Sequence, residues 1–368
     1  MRFSTPKAKI QGELNLLQGV VEKKNTIPIL SNVLIESTDA SSVSMVATDL
    51  DVSMWTGCEA DVAETGSIVL QARKLFDIVR SLPDADISFN KEANDRVKIT
   101  CGASEFKLVG QAKEHFPTTP RAAEMVIAIP AALVHTLINR THFAITQEES
   151  RYALNGSLFH LADRRIEMVS TDGHRLALAS ASLENDLGAE TTRVIVPKKA
   201  LGELSKLTAG AEGDLQFGKD DNHLFFKLGH RVLASRMLSG QFPNYELVLP
   251  KGNDKLIVLN SDKFAQAIRR AALMADERSH GVKLSIGDGR LNITAESADV
   301  GEAREVIAVD YSGDSVGIGF NAQYVLDFLG VVGTEQVSFE FKDEQSPALL
   351  RPEGSGDYQY VVMPMRLL

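Results

Sequence analysis

The sequence predicts an α+β fold made of three repeats, each built from two β-α-β-β-β halves. Three landmarks predict it. The stretches "VSMVATDLDVSMW" from Val43 and "IEMVSTDGHRLAL" from Ile166 both run an apolar strand into Thr-Asp, with Thr48 and Thr171 123 positions apart. "GRLNITAESADVG" from Gly289 is a weaker third copy; with Glu296 as the counterpart, the second spacing is 125. Next, "VLQARKLFDIVRSL" at Val69, "VIVPKKALGELSKL" at Val194 and "IGFNAQYVLDFLGVV" at Ile318 each read as strand, short turn and amphipathic helix, with Lys74 and Lys199 125 apart. Last, "HFPTTP", "QFPNYE" and "VMPMRL" close the copies, Pro117 and Pro243 lying 126 apart. These repeats are too long for solenoid units, so each third is expected to close its own core: residues 1–125, 126–250 and 251–368.

The halving of each third rests on a second set of helices. "PKAKIQGELNLLQGVV", "PAALVHTLINRTHFAI" and "SDKFAQAIRRAALMA" carry apolar residues at three- and four-residue spacing, Leu133, Leu137 and Ile138 forming one such stripe. Between helices, runs such as "VKITCGASEFKLVG" and "NHLFFKLGHRVLASRM" alternate and turn at glycine, which suits antiparallel hairpins. Near-equal units in series can curve into an arc, and two arcs related by a twofold axis can close a ring.

Composition limits the class. The 368 residues are 44% hydrophobic and 24% charged, with a mean hydropathy of -0.07 and no low-complexity run. The N-terminus "MRFSTPKAKIQGELN" lacks an uninterrupted apolar stretch, and nothing approaches the roughly 18 apolar residues of a membrane span, so a cytoplasmic protein is expected. Cys58 and Cys101 have no ligand-like spacing, so no zinc site is expected. A net charge of -10 argues against nucleic acid unless basic residues are concentrated locally.

"STDGHRLALA", Ser170 to Ala179, raises a catalytic question. An acid can orient an imidazole that acts as a base, which would make Asp172 and His174 a hydrolase pair. Against this, no serine or cysteine sits in a nucleophile context and G-x-S-x-G is absent, so a histidine in a structural turn is the plainer reading.

"TIPILSNVLIE", "ATDLD", "RYALNG", "STDGHRLA", "IVPKKAL", "QFPNYELVLP" and the terminal "YVVMPMRLL" together resemble the bacterial DNA polymerase III beta subunits, the sliding clamps, along the whole chain. The resemblance implies three clamp domains and a head-to-tail homodimeric ring, with helices lining the hole, that is a processivity factor and not an enzyme. Its implied partners are duplex DNA bound without sequence preference, the DNA polymerase III alpha subunit, the clamp loader delta subunit and other proteins carrying a clamp-binding motif. A scaffold without a DNA role would lack the basic helices.

The resemblance also implies sites. One wall of a partner-peptide groove falls on Leu154, Thr171, Gly173, His174, Arg175 and Leu176; the other falls on Pro243, Leu247, Val248 and Val361, Val362, Met363, Pro364, Met365, Arg366. Methionines repack against varied apolar side chains, and a glycine admits a close backbone, so these residue types suit a promiscuous groove. Leu247 stands where the family commonly has arginine, so a more apolar rim is expected. DNA contact falls on Lys24, Arg73, Tyr152, Lys198 and Lys199, with Lys23 beside Lys24; Glu148, where relatives often have glutamine, is left out because a carboxylate repels phosphate. The subunit interface falls on Lys74, Arg96, Phe106 and Lys107 against Leu273, Met274, Asp299, Glu302 and Glu305. Ala103 and Glu105 replace two usual basic positions, so apolar contacts are expected to dominate.

Overall fold

Alternating runs and helical stripes resolve into six β-α-β-β-β halves among the residues that the computed structural model describes: 1–21, 27–120, 124–148, 150–184 and 191–367. The helices are Lys7–Leu17 (α1), Ala72–Ser81 (α2), Ala131–Thr141 (α3), Lys198–Thr208 (α4), Ser261–Ala272 (α5) and Ala322–Leu329 (α6). Each follows directly on one strand and precedes three more. The strand Asp61–Glu64 is additional to this pattern and pairs with Arg2–Pro6, covering that strand's free side.

Helices of 8 to 12 residues are too short to persist alone, so burial of one face must hold them. α2 buries Ala72, Leu75, Ile78 and Val79 and turns Arg73, Lys74 and Arg80 outward. α5 buries Phe264, Ala267, Ile268 and Ala271, and the Asn260 side chain accepts the Lys263 N–H at its start. In α3 the buried stripe is Val134, Leu137 and Ile138, one step from the expected one, with Leu133 at its half-buried margin.

The strand before each helix does not pair with the sheet of its own half. Arg2–Pro6 pairs with Asp86–Lys91 and Gly66–Gln71 with Asn32–Ser37. In the same way Ile127–Pro130 pairs with Asp214–Lys219 and Thr192–Pro197 with Gly156–Ala162. Lys255–Asn260 and Val316–Asn321 complete the exchange against Gln336–Phe341 and Gly281–Gly287. Every pair of halves therefore trades first strands, and neither half can complete its sheet without the other.

Last strands join successive repeats. Val52–Glu59 pairs with Arg231–Arg236, and Arg175–Ser182 pairs with Tyr358–Val362, extending each sheet to eight strands. The other two last strands, Ser104–Val109 and Gly301–Ala308, lie at sheet edges. Since sheets run through the joints, the chain divides into two compact units that cut across the repeats: 1–135 with 199–237, and 136–198 with 238–368. The helix starts also correct the sequence register, because Ala72 and Lys198 open α2 and α4. This sets Arg73 opposite Lys199, and Lys74 opposite Ala200.

Within the first unit, a buried ion pair ties α1 to the strand Arg231–Arg236. Arg231 donates to both Glu13 carboxylate oxygens at 2.9 and 2.6 Å, and the Thr56 hydroxyl donates to the same group. Burial pushes the Glu13 carboxyl up, but the bonds from Arg231 and Thr56 outweigh it and hold the group below its ordinary value. A depressed carboxyl stabilises the fold above its unfolded value and loses that contribution as pH falls through the folded one. Arg231→Met removes the main partner and leaves the buried charge with only the Thr56 hydroxyl and the exposed His230, 3.6 Å away, so the upward push of burial on Glu13 is less opposed. The expected cost at pH 8 is about 2–3 kcal/mol, below that of a fully enclosed pair because Arg231 keeps solvent contact. It should shrink as pH falls to about 5, because the less well held carboxyl takes up a proton more readily than in the unmodified protein. Urea unfolding of both proteins at the two pH values measures this; an equal difference at both would contradict it.

Candidate functional site

The Thr-Asp sequence builds the same turn twice. The Thr48 hydroxyl accepts the Leu50 N–H at 3.0 Å and donates to the Val52 carbonyl; Thr171 accepts from Gly173 at 3.1 Å and donates to the Arg175 carbonyl. Asp49 Oδ1 accepts the N–H groups of Asp51 and Val52, and Asp172 Oδ1 accepts those of His174 and Arg175. Such side-chain bonds to a local backbone are what fit Thr and Asp for turns. The residue after each aspartate has positive φ, 81° at Leu50 and 90° at Gly173. In the third copy the strand ends one residue later than Glu296, at Ser297, which pairs with Gly301 across a shorter turn.

This geometry answers the catalytic question. Asp172 spends Oδ1 on two backbone donors and Oδ2 on Arg175 Nε at 3.0 Å, so it does not orient the His174 ring. The His174 carbonyl instead accepts the Met363 N–H at 2.9 Å, bringing the C-terminal segment to the turn. Arg175, expected in the groove wall, is 9% exposed and faces inward. Its guanidinium bonds Asp327 at 2.5 Å and the Phe143 carbonyl at 2.8 Å, and lies 4.3 Å from the Tyr324 ring centroid. It braces the turn from beneath, and the partners doing so, Phe143, Tyr324 and Asp327, carry no sequence motif.

Beside the turn, Leu154, Leu176, Val248 and Val361 meet in one apolar cluster with Phe242 and Tyr245. The Tyr245 hydroxyl donates to Glu167 at 2.9 Å and anchors the segment that bears Pro243 and Leu247, both exposed. Burial, with the Glu167 charge adding to it, pushes the Tyr245 phenol up to about 12, so it remains a donor across the physiological range. Leu247 is 78% exposed. Val362 is buried in the ladder opposite Arg175, whereas Met363, Pro364 and Met365 are half-buried and Arg366 is exposed. The arrangement offers an apolar surface, with the C-terminal segment that carries Met363 and Met365 held at the turn. Phe242 and Tyr245 were readable in "QFPNYELVLP" as apolar positions between proline and turn residues.

The basic positions divide. Arg73 and Tyr152 are exposed, while Lys24 lies outside the described residues. Burial lowers the Lys198 ammonium, the Arg175 charge adding to the effect. Lys199 already donates to the Val20 carbonyl at 2.9 Å and pairs with the buried Asp49, so much of its charge is spent within the chain. Across the six helices, however, twelve Lys and Arg stand against five Asp and Glu, a balance of +7 in a chain of -10. Two of those acids, Glu13 and Glu203, are buried.

Phe106, on the edge strand Ser104–Val109, is 36% exposed; Leu273, at the end of α5, is 76% exposed, and Met274 after it is half-buried. Glu305 is held by both arms of Arg270 at 2.9 and 2.7 Å, and Lys107 lies 3.8 Å from Glu92, so neither is a free charge. Lys74, Arg96, Asp299 and Glu302 are exposed. Among the described residues, no group of three His, Cys, Asp or Glu is placed to hold a metal, and no helix is long and apolar enough to cross a membrane.

A repeat-built α+β protein with an apolar cluster beside its Thr-Asp turn and basic helices belongs to a binding class. Comparison with known proteins narrows it. Residues 1–120, 128–244 and 246–366 match the N-terminal, central and C-terminal domain models of the DNA polymerase III beta subunit. The beta sliding clamp of Pseudomonas putida is 38% identical over the full length of both chains. Among solved structures, the Pseudomonas aeruginosa beta subunit superposes with a TM-score of 0.93 at 37% identity, covering both chains fully. Another from that organism, bound to griselimycin, gives 0.93 at 36% with the same coverage. The chain belongs to the DNA polymerase III beta subunit family, the DNA sliding clamps, a non-catalytic family.

The paired turns make a stability prediction. Leu50, 51% exposed, holds positive φ, a conformation costing a non-glycine residue about 1–2 kcal/mol. Leu50→Gly should therefore stabilise by about 0.5–1 kcal/mol net of glycine's entropy, and Gly173→Ala should destabilise by about 1 kcal/mol. Denaturant midpoints check both; a loss of stability in Leu50→Gly would contradict the strain.

Proposed function

We propose that two copies of this chain close into a ring around duplex DNA, helices facing the hole, and that the ring tethers a polymerase through the groove beside His174. The observation that carries the reading is the charge segregation. Helices at +7 within a chain of -10 concentrate cations on the elements proposed to face DNA and leave the remainder acidic, which supports this reading. Arg73 and Tyr152 are the exposed candidates for contact, with Lys24, Lys198 and Lys199 in supporting roles. Three domains per copy, bounded near residues 125 and 250, follow from the repeats. The free last strands Ser104–Val109 and Gly301–Ala308 favour head-to-tail closure, with Phe106 against Leu273 and Met274. The partner peptides would come from the polymerase alpha subunit, the loader delta subunit and other proteins with the same short motif, in the cytoplasm and without a cofactor.

Enclosure makes a test that surface binding fails. Salt weakens ordinary phosphate contacts, log affinity falling about 0.9 per neutralised phosphate for each log unit of salt. A closed ring placed on nicked circular DNA by a loader and ATP should remain through high-salt gel filtration, and linearising the circle should release it. Loss from intact circles as readily as from linear DNA, with the assembly intact, would contradict enclosure.

A further inference from the structure

The chain beyond Val362 leaves the ladder but is held at two further points. Met363 N–H donates to the His174 carbonyl, and Met365 N–H donates to the Gly319 carbonyl at 2.8 Å. Past Met365, Leu367 lies over two neighbouring strands, Gly281–Gly287 and Val316–Asn321, where Lys283 stands opposite Gly319 and Gly281 opposite Asn321. Val282, Leu284, Ile318 and Phe320 point into the core, so Gly281 and Gly319 bare the opposite face of the sheet. A Cβ on Gly319 would stand 2.5 Å from the Met365 carbonyl oxygen and 2.8 Å from Leu367 Cγ. One on Gly281 would run into Leu367 Cδ2. Neither glycine has positive φ, so the backbone does not require glycine there; the space does.

We infer that Gly281 and Gly319 form a slot that seats Leu367 and thereby holds Met363 to Arg366 where they wall the groove. The slot acts on the partner peptide only through this segment, so both glycines and Leu367 are positioning residues, and their effect on peptide affinity rests on the groove reading above. A methyl group at residue 319 leaves the strand intact and displaces the tail. The binding-competent arrangement then becomes a minor one, and apparent affinity falls by its fraction.

The test uses the full-length protein, carboxypeptidase release of the C-terminal leucines, and fluorescence titration with a synthetic peptide carrying a glutamine followed by leucine and phenylalanine anchors. Gly319→Ala should speed release and weaken the peptide, each about tenfold, while the thermal midpoint holds or rises, since alanine costs the unfolded chain less entropy to order. A merely structural role would lower the midpoint. Gly281→Ala should weaken the peptide in the otherwise unchanged protein, but have no further effect once Leu367→Ala has removed the side chain it meets, the non-additivity of two groups in contact. Unchanged release in Gly319→Ala, or additive effects of Gly281→Ala and Leu367→Ala, would overturn the slot. If the unmodified protein does not bind the peptide, the groove reading falls and the positioning role with it, while the release rates still decide whether the slot holds the tail.

Discussion

The exchange of first strands between paired halves is the constraint on which the fold depends. A strand's backbone groups must be paired when buried, and each half supplies the strand that the other half's sheet needs. Two halves are thus one folding unit, and the helix that follows each exchanged strand is fixed by it. Last strands extend the logic outward, since two of the three possible pairs of them are already made within the chain. The remaining two edges are of the kind that proteins ordinarily shield, and the proposed closure by a second copy would shield both.

Duplication also shows how the same joint diverges between its two copies. At the first joint, Arg236 N–H donates to the Asp51 carbonyl, matching Met363 to His174 at the second, but an ion pair between Arg236 and Asp51 lies across it. Where the first turn continues with Val52, the second continues with Arg175, whose buried charge reaches α6 through Asp327. Trp55, Ile29 and Phe116 pack over the first joint's smaller cluster of Leu34, Val46 and Val69. The same backbone therefore carries an adaptable methionine edge in one copy and charged side chains in the other.

Much of this was legible in the residues. Helical stripes, hairpin glycines and the Thr-Asp spacing located all six halves, because each is a local signal that repeats. The turn's role was legible in part: Thr and Asp side chains serve their own backbone, and the absent nucleophile argued against catalysis. What could not be read was long-range. Arg175 and Asp327 are 152 positions apart, and nothing in either neighbourhood specifies the other. The engagement of Lys199 by Asp49, 150 positions away, was likewise beyond any local signal. Register was off by one at Lys74 because a lysine pair in one helix aligns with an Arg-Lys pair in the other at either of two offsets; only the helix starts choose between them.

Closure by a second copy is the claim on which the functional account turns, since without it there is neither a hole for DNA nor a cover for the two edge strands. Sedimentation equilibrium of the purified protein at micromolar concentration tests it most directly. The account predicts a mass of twice the 40.1 kDa chain. A folded species at the single-chain mass across that range would contradict it.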